Sequence, residues 1–129
     1  MLNAIAVKVT NDENGNPLKG GHYYKYHLPK KIPVKEFWSV LVYDAKTNLI
    51  IKNNQSWPSV HRKKKNLVIE EDGSVEVFFG PKSPVGKENN WIQTISKKSW
   101  YMVINLYEPK EAWFKQAWIP GTIQEITKE

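Results

Sequence analysis

Along most of the chain, apolar residues alternate with polar ones at period two, the signature of strands with one buried face. Residues 4–10 set Ile5, Val7 and Val9 on one face. After a polar turn from Asn11 to Pro17, residues 22–28 set Tyr24, Tyr26 and Leu28 on one face and Tyr23, Lys25 and His27 on the other. Residues 36–44 are apolar on both faces, as expected of a central strand covered on both sides. The turn Ala45-Lys46-Thr47-Asn48 leads into a short strand at 49–52. Two further short strands are predicted at 67–70 and 75–79, joined by Glu71-Asp72-Gly73-Ser74, where Gly73 is free to take a positive φ. Residues 99–107 form the last long strand, with Trp100, Met102, Ile104 and Leu106 on one face. Residues 111–116, opened by Pro109, predict one or two helical turns, and Pro120-Gly121 breaks the chain before a short strand at 122–126. Two long connections remain, residues 53–65 and 80–98, of a length that in compact domains is usually packed or functional.

Eight or nine short strands with at most one short helix near the C-terminus predict an all-β fold, an antiparallel β-sandwich of jelly-roll type. No repeat, low-complexity segment or linker divides the chain, so residues 1–129 are expected to form a single domain. Composition adjusts this picture in three places. The apolar fraction, 40%, is modest, but six Trp bring large buried areas. No apolar run approaches the ~20 residues of a membrane span. The absence of cysteine excludes a disulfide scaffold, thiolate zinc sites and a cysteine nucleophile.

The N-terminal stretch Met1 to Val7 lacks a basic leader region, and Lys8 and Thr10 interrupt its apolar pattern, so it does not read as a signal peptide. The expectation for the chain as it stands is therefore the cytoplasm, with the periplasm or secretion as the alternative if it is a fragment of a longer protein. The net charge is +6, yet Arg62 is the single arginine. Proteins that read phosphates or bases draw on the planar arginine fork, so the lysines read as a solvated surface and no nucleic-acid partner is expected.

Candidate chemistry is sparse. His22 and His27 fall on opposite faces of one strand, and His61 has no acidic or histidine neighbour in sequence, so neither a metal nor a cofactor is expected. No Gly-x-Ser-x-Gly elbow is present, and Ser39, mid-strand between large apolar residues, reads as a buried, hydrogen-bonded hydroxyl. Glu70, Glu71 and Asp72 crowd one turn, where paired carboxylates do not hold acid–base geometry. Asp44 is expected to accept backbone N–H groups of the turn that follows it. No catalytic residue is identified. The Trp residues outside the long strands, Trp57, Trp91, Trp113 and Trp118, are expected to plug the open ends of the sandwich; the other reading is stacking on sugar rings or flat ligands. In Glu88-Asn89-Asn90-Trp91, the Asn side chains should bond neighbouring backbone while Trp91 packs inward.

Several spaced motifs resemble a bacterial family catalogued as domain of unknown function 1214. They begin with Asp12-x-x-Gly15-x-Pro17-Leu18, Gly20-Gly21, Tyr24, Leu28-Pro29 and Ile32-Pro33. They continue with Phe37-Trp38-Ser39-Val40, Tyr43-Asp44, Pro58-Ser59-Val60, Asp72-Gly73-Ser74-Val75 and Phe79-Gly80-Pro81. The strongest is Pro84-x-Gly86-Lys87-Glu88-x-Asn90-Trp91, followed by Leu106-Tyr107-x-Pro109 and Trp118-x-Pro120. The resemblance covers about residues 3–126. It implies a β-sandwich that usually forms the C-terminal part of a longer, often exported protein, behind a domain of unknown function 1254. It implies no established activity. The chain as given carries neither that companion nor a signal pattern, and reads as a stand-alone copy or a piece of something longer.

The surplus of aromatics and the missing companion domain point to a non-catalytic module that binds a ligand or a partner protein. The partner would be a second copy of the chain, a companion β-domain, or a small-molecule or glycan ligand. The alternative is an enzyme or enzyme half acting on a carbohydrate or other small molecule. In either case the candidate ligand-binding residues are Tyr43, Trp57, Arg62, Glu88, Asn90 and Trp91, with Glu88 as base in the enzymatic reading.

Overall fold

The structure, a computed structural model, describes residues 4–126. Eight strands run in the order β1 (Ala4–Val9), β2 (Tyr23–Leu28), β3 (Val34–Asp44), β4 (Ser59–His61), β5 (Val75–Gly80), β6 (Trp91–Gln93), β7 (Trp100–Pro109) and β8 (Ile123–Ile126). One short helix, α1 (Glu111–Phe114), lies between β7 and β8. The strands form two four-stranded sheets, β1-β7-β3-β4 and β6-β5-β2-β8, packed as a sandwich.

Alternation decides which residues meet between the sheets. Tyr24, Tyr26 and Leu28 of β2 and Val75, Val77 and Phe79 of β5 face Trp38, Val40 and Val42 of β3 and Trp100, Met102, Ile104 and Leu106 of β7; all are buried. The Trp100 ring sits at the centre, edge-on to Tyr24 at 5.5 Å and tilted against Phe79 at 4.8 Å between centroids. Trp118 closes one end of the core, its indole N–H directed at the carbonyls of Lys30 (2.9 Å) and Pro29 (3.3 Å). Three of the six Trp, Trp38, Trp100 and Trp118, therefore supply core volume.

The longest strands and the Gly73 turn (φ +91°) follow the expected pattern. Four features differ. The expected strand at 49–52 is reduced to a single bridge, Ile50 opposite Tyr43, followed by one bond from the Ile51 N–H to the Val42 carbonyl (2.9 Å). The expected strand at 67–70 does not form. A side chain takes the place of its partner strand: the Asn90 carboxamide accepts from the Val68 N–H and donates to the Val68 carbonyl, both at 2.9 Å. The two long connections contain short strands of their own, β4 and β6, each with one buried apolar residue, Val60 and Ile92. A single apolar position is too little to show a period. Finally, β6 runs parallel to β5, with Phe78 opposite Trp91, so the sandwich is mostly rather than wholly antiparallel.

Candidate functional site

The parallel β5–β6 pair shapes the outer face of the second sheet. A parallel neighbour cannot be reached by a tight hairpin, so the chain must travel back along β5 before β6 begins. Residues 81–90 make that return and arch over the sheet. Beneath them, the outward positions carry Tyr23 of β2, Phe78 of β5, Trp91 of β6 and Ile126 of β8, with Phe78 registered against both Trp91 and Lys25 and Tyr23 against Ile126. Gly80 is needed here because the Tyr23 ring lies against its backbone, and a Cβ would run into the ring. The result is a cleft of about 560 Å³ lined by these four residues together with Lys82, Ser83, Pro84, Val85 and Lys87 of the arch. That volume lies within the range of small-molecule sites.

The arch is held by its own side chains. The Glu88 carboxylate accepts the Gly86 N–H at 3.1 Å, where Gly86 has φ +81°. Lys87 Nζ meets Glu70 Oε2 at 3.0 Å. The Trp91 indole N–H donates to the Gly80 carbonyl at 2.9 Å, fixing the ring as one wall. Asn90 is fully buried; besides its two bonds to Val68 it donates to the Glu76 carbonyl at 2.9 Å. One side chain thus joins the 67–70 segment, β5 and the end of the arch.

The six residues singled out from the sequence do not converge on one cavity. Trp91 lines the cleft. Glu88 and Asn90 lie in the same segment, but the first carboxylate caps its own turn and the second side chain points into the protein. Tyr43 is on the outer face of the other sheet, stacked on Tyr101 at 5.3 Å and nearly parallel to it. Arg62 follows β4 and donates from Nη1 to the Lys35 carbonyl at 3.4 Å. Trp57 is 84% exposed beside a separate hollow of about 570 Å³. The expectation that loop Trp rings act as plugs therefore holds for Trp118 and the partly buried Trp113 and fails for Trp57. Trp91, expected to pack inward, instead lies on the outer face of the second sheet as a wall of the cleft. Tyr23, Phe78, Lys82, Lys87 and Ile126 were not anticipated as site residues. Their one sequence signal was an aromatic on the solvent-facing side of a strand, as at Tyr23.

One polar row crosses the first sheet's outer face: His61 of β4 is registered against Ser39 of β3, and Ser39 against Asn105 of β7. Asn105 Nδ2 donates to Ser39 Oγ at 3.4 Å, the bonded hydroxyl expected at Ser39. The His61 Nδ1 accepts the Lys63 N–H at 3.2 Å, and partial burial, with the Lys64 charge adding, holds the ring below the ordinary histidine pKa. Neutral His61 accepting at Nδ1 carries its proton on Nε2, so it presents a donor, not a base, towards any neighbour on that side. His22 and His27 each face a different carboxylate, Glu125 at 3.1 Å and Glu76 at 3.4 Å. Among the described residues no group of three or more His, Cys, Asp or Glu is placed to hold a metal ion, and no helix is long and apolar enough to cross a membrane.

The fold has solved counterparts. The chain superposes on the VPA0106 protein from Vibrio parahaemolyticus with a TM-score of 0.82 at 23% identity, covering 96% of this chain and 31% of that one. It superposes on an uncharacterized protein from Burkholderia cenocepacia with a TM-score of 0.54 at 15% identity, covering 97% of this chain and 29% of that one. The chain thus spans about a third of the length of either. No protein of curated function matches it significantly. A family match covers residues 3–111 and stops short of Trp118-x-Pro120, which the motif resemblance had included. By that match the chain belongs to the DUF1214 family, described as a protein of unknown function.

Proposed function

We propose that the protein is a non-catalytic binding module whose ligand is a small planar molecule with an anionic group, held in the cleft under the 81–90 arch. The observation that carries this reading is the cleft's composition. Tyr23, Phe78 and Trp91 offer flat apolar walls, while Lys82 and Lys87 supply positive charge at the arch. Lys87 is already paired with Glu70, which leaves the exposed Lys82 as the cation available to an incoming anion. The Trp91 ring is fixed by its indole bond and the arch by Asn90, so the walls are pre-organised and little ordering entropy opposes binding. The nearby carboxylates of Glu88 and Glu70 are occupied in holding the arch, which favours binding over acid–base chemistry.

Calorimetric titration with 8-anilinonaphthalene-1-sulfonate, a planar apolar anion, tests the reading. One site per chain is expected, weakened about tenfold in Lys82→Glu, since reversing one charge near a bound anion changes affinity by the order of 1.4 kcal/mol. Absence of binding, or binding unchanged in both Lys82→Glu and Phe78→Ala, contradicts it.

A further inference from the structure

A second region, separate from the cleft, is left without a role. The hairpin after β3 and the loop before β4 meet at one end of the first sheet, where Ile50 is bridged to Tyr43 and Ser59 is registered against Leu41. There Trp57 is 84% exposed, Leu49 63% and Ile50 46%, beside a hollow whose apolar wall is Leu41, Ile50, Ile51, Trp57 and Pro58 and whose other half is polar. Large apolar residues gathered in this way on a surface mark a contact area.

Both loops are firmly built. Asp44 Oδ1 accepts the N–H groups of Lys46 (2.8 Å) and Thr47 (3.3 Å), and the Tyr101 hydroxyl donates to Asn48 Oδ1 at 3.0 Å. In the Trp57 loop, Asn53 Nδ2 donates to the Gln93 carbonyl at 2.8 Å. Gln55 Nε2 donates to the Trp91 carbonyl at 3.0 Å, and Gln55 Oε1 accepts the Gln93 N–H at 2.8 Å. The Asn53 and Gln55 amides are spent on fixing the loop to β6, so apart from the exposed Asn54 the outward chemistry is apolar tips and lysines.

The charge of the molecule is concentrated in the same stretch. Residues 45–69 hold Lys46, Lys52, Arg62, Lys63, Lys64 and Lys65 and no acidic residue. The rest of the chain holds thirteen basic and thirteen acidic side chains, so the net +6 is the charge of this segment. Lys46 and Lys52 stand on the loops that carry the apolar tips, whereas Arg62 lies farther along β3, its N–H on the Trp38 carbonyl, and the Lys64 ammonium is turned onto the Ser59 carbonyl. With cations and no carboxylate between residues 45 and 69, this edge repels a second copy of itself. Five of the segment's six cations are lysine, a residue depleted from protein–protein interfaces, whereas Trp beside Lys is the pairing of the membrane–water boundary.

We propose that this edge docks the protein on a bilayer rich in anionic lipid, with Trp57, Leu49 and Ile50 entering the headgroup region and the lysines facing the lipid charge. Neither element suffices alone; stable peripheral binding takes an apolar insertion together with a basic patch.

Co-sedimentation with phosphatidylglycerol–phosphatidylcholine vesicles tests this. The wild type should pellet with these vesicles at low salt, much less at high salt, and not with pure phosphatidylcholine. Trp57→Ala and the double variant Lys46→Glu/Lys52→Glu should each weaken partitioning about tenfold or more. Both should keep the wild-type unfolding midpoint and the same titration at the cleft. No binding to the anionic vesicles at low salt overturns the proposal and leaves the edge to an acidic protein. Binding that both variants retain, or that pure phosphatidylcholine matches, overturns it as well.

Discussion

Trp91 and Trp57 are both tryptophans in segments that read as loops, and they have opposite physical situations. Trp91 is half-buried, its N–H is bonded to Gly80, and the residue before it is locked by three backbone partners. Trp57 stands almost wholly in solvent on a loop that the Asn53 and Gln55 side chains tie inward to β6. The first ring is a wall that the fold holds in place; the second is a contact that the fold holds out. The two regions are nevertheless linked, since Gln55 of the Trp57 loop bonds the backbone of Trp91 and Gln93 on β6. Hydrogen bonding and burial, not residue type or loop position, distinguish the two roles.

The contrast can be broken most forcefully at Asn90. Replacing it by Ala leaves three buried or partly buried backbone groups without their partner. At about 1 kcal/mol per bond, the variant should lose about 3 kcal/mol or more in urea unfolding. A loss below about 1 kcal/mol would mean the arch does not depend on this side chain. Trp91→Phe keeps a ring in the wall and removes the bond to Gly80, so a loss of about 1 kcal/mol is expected.

Acid should act on the Trp57 side through Asp44. Its carboxyl is held below the usual carboxylate range, first by the Lys46 N–H, with the Thr47 N–H and the Lys98 ammonium adding. A depressed folded pKa contributes stability that is present above the unfolded value of about 3.9 and is lost as pH falls through the lower folded value. Amide exchange at Lys46 and Thr47 should therefore accelerate selectively below about pH 4, beyond the intrinsic pH effect. Asp44→Asn should show a weaker acid response, because its amide titrates nothing. The smallest effect belongs to Trp57→Ala, which should stay within about 0.5 kcal/mol of the wild type because the ring packs against little. A large destabilisation there would move Trp57 into the structural class with Trp91.

The long strands were legible because each carries three or four apolar residues at period two, as in Tyr24, Tyr26 and Leu28. The turn roles of Asp44 and Gly73 were legible because they are local chemistry. Asn90 was expected to bond neighbouring backbone, but its partners on Val68 and Glu76 lie 22 and 14 residues away, beyond any short-range pattern. The cleft was not legible either. It exists because β6, three residues with one buried side chain, pairs in parallel with β5, and because Tyr23, Phe78 and Trp91 arrive on one face from three strands. No short-range pattern encodes that register. The absent strand at 67–70 has a similar cause: its β-like sequence meets a side-chain amide where a strand would have to be.

The most direct measurement is the set of tryptophan indole N–H resonances during a titration with 8-anilinonaphthalene-1-sulfonate, assigned by single Trp→Phe variants. A cleft on the second sheet predicts that the Trp91 signal shifts with saturation while the Trp57 signal stays in place. A Trp57 signal that moves while Trp91 does not, or no indole shift under saturating probe, would contradict the assignment of the ligand site to the second sheet.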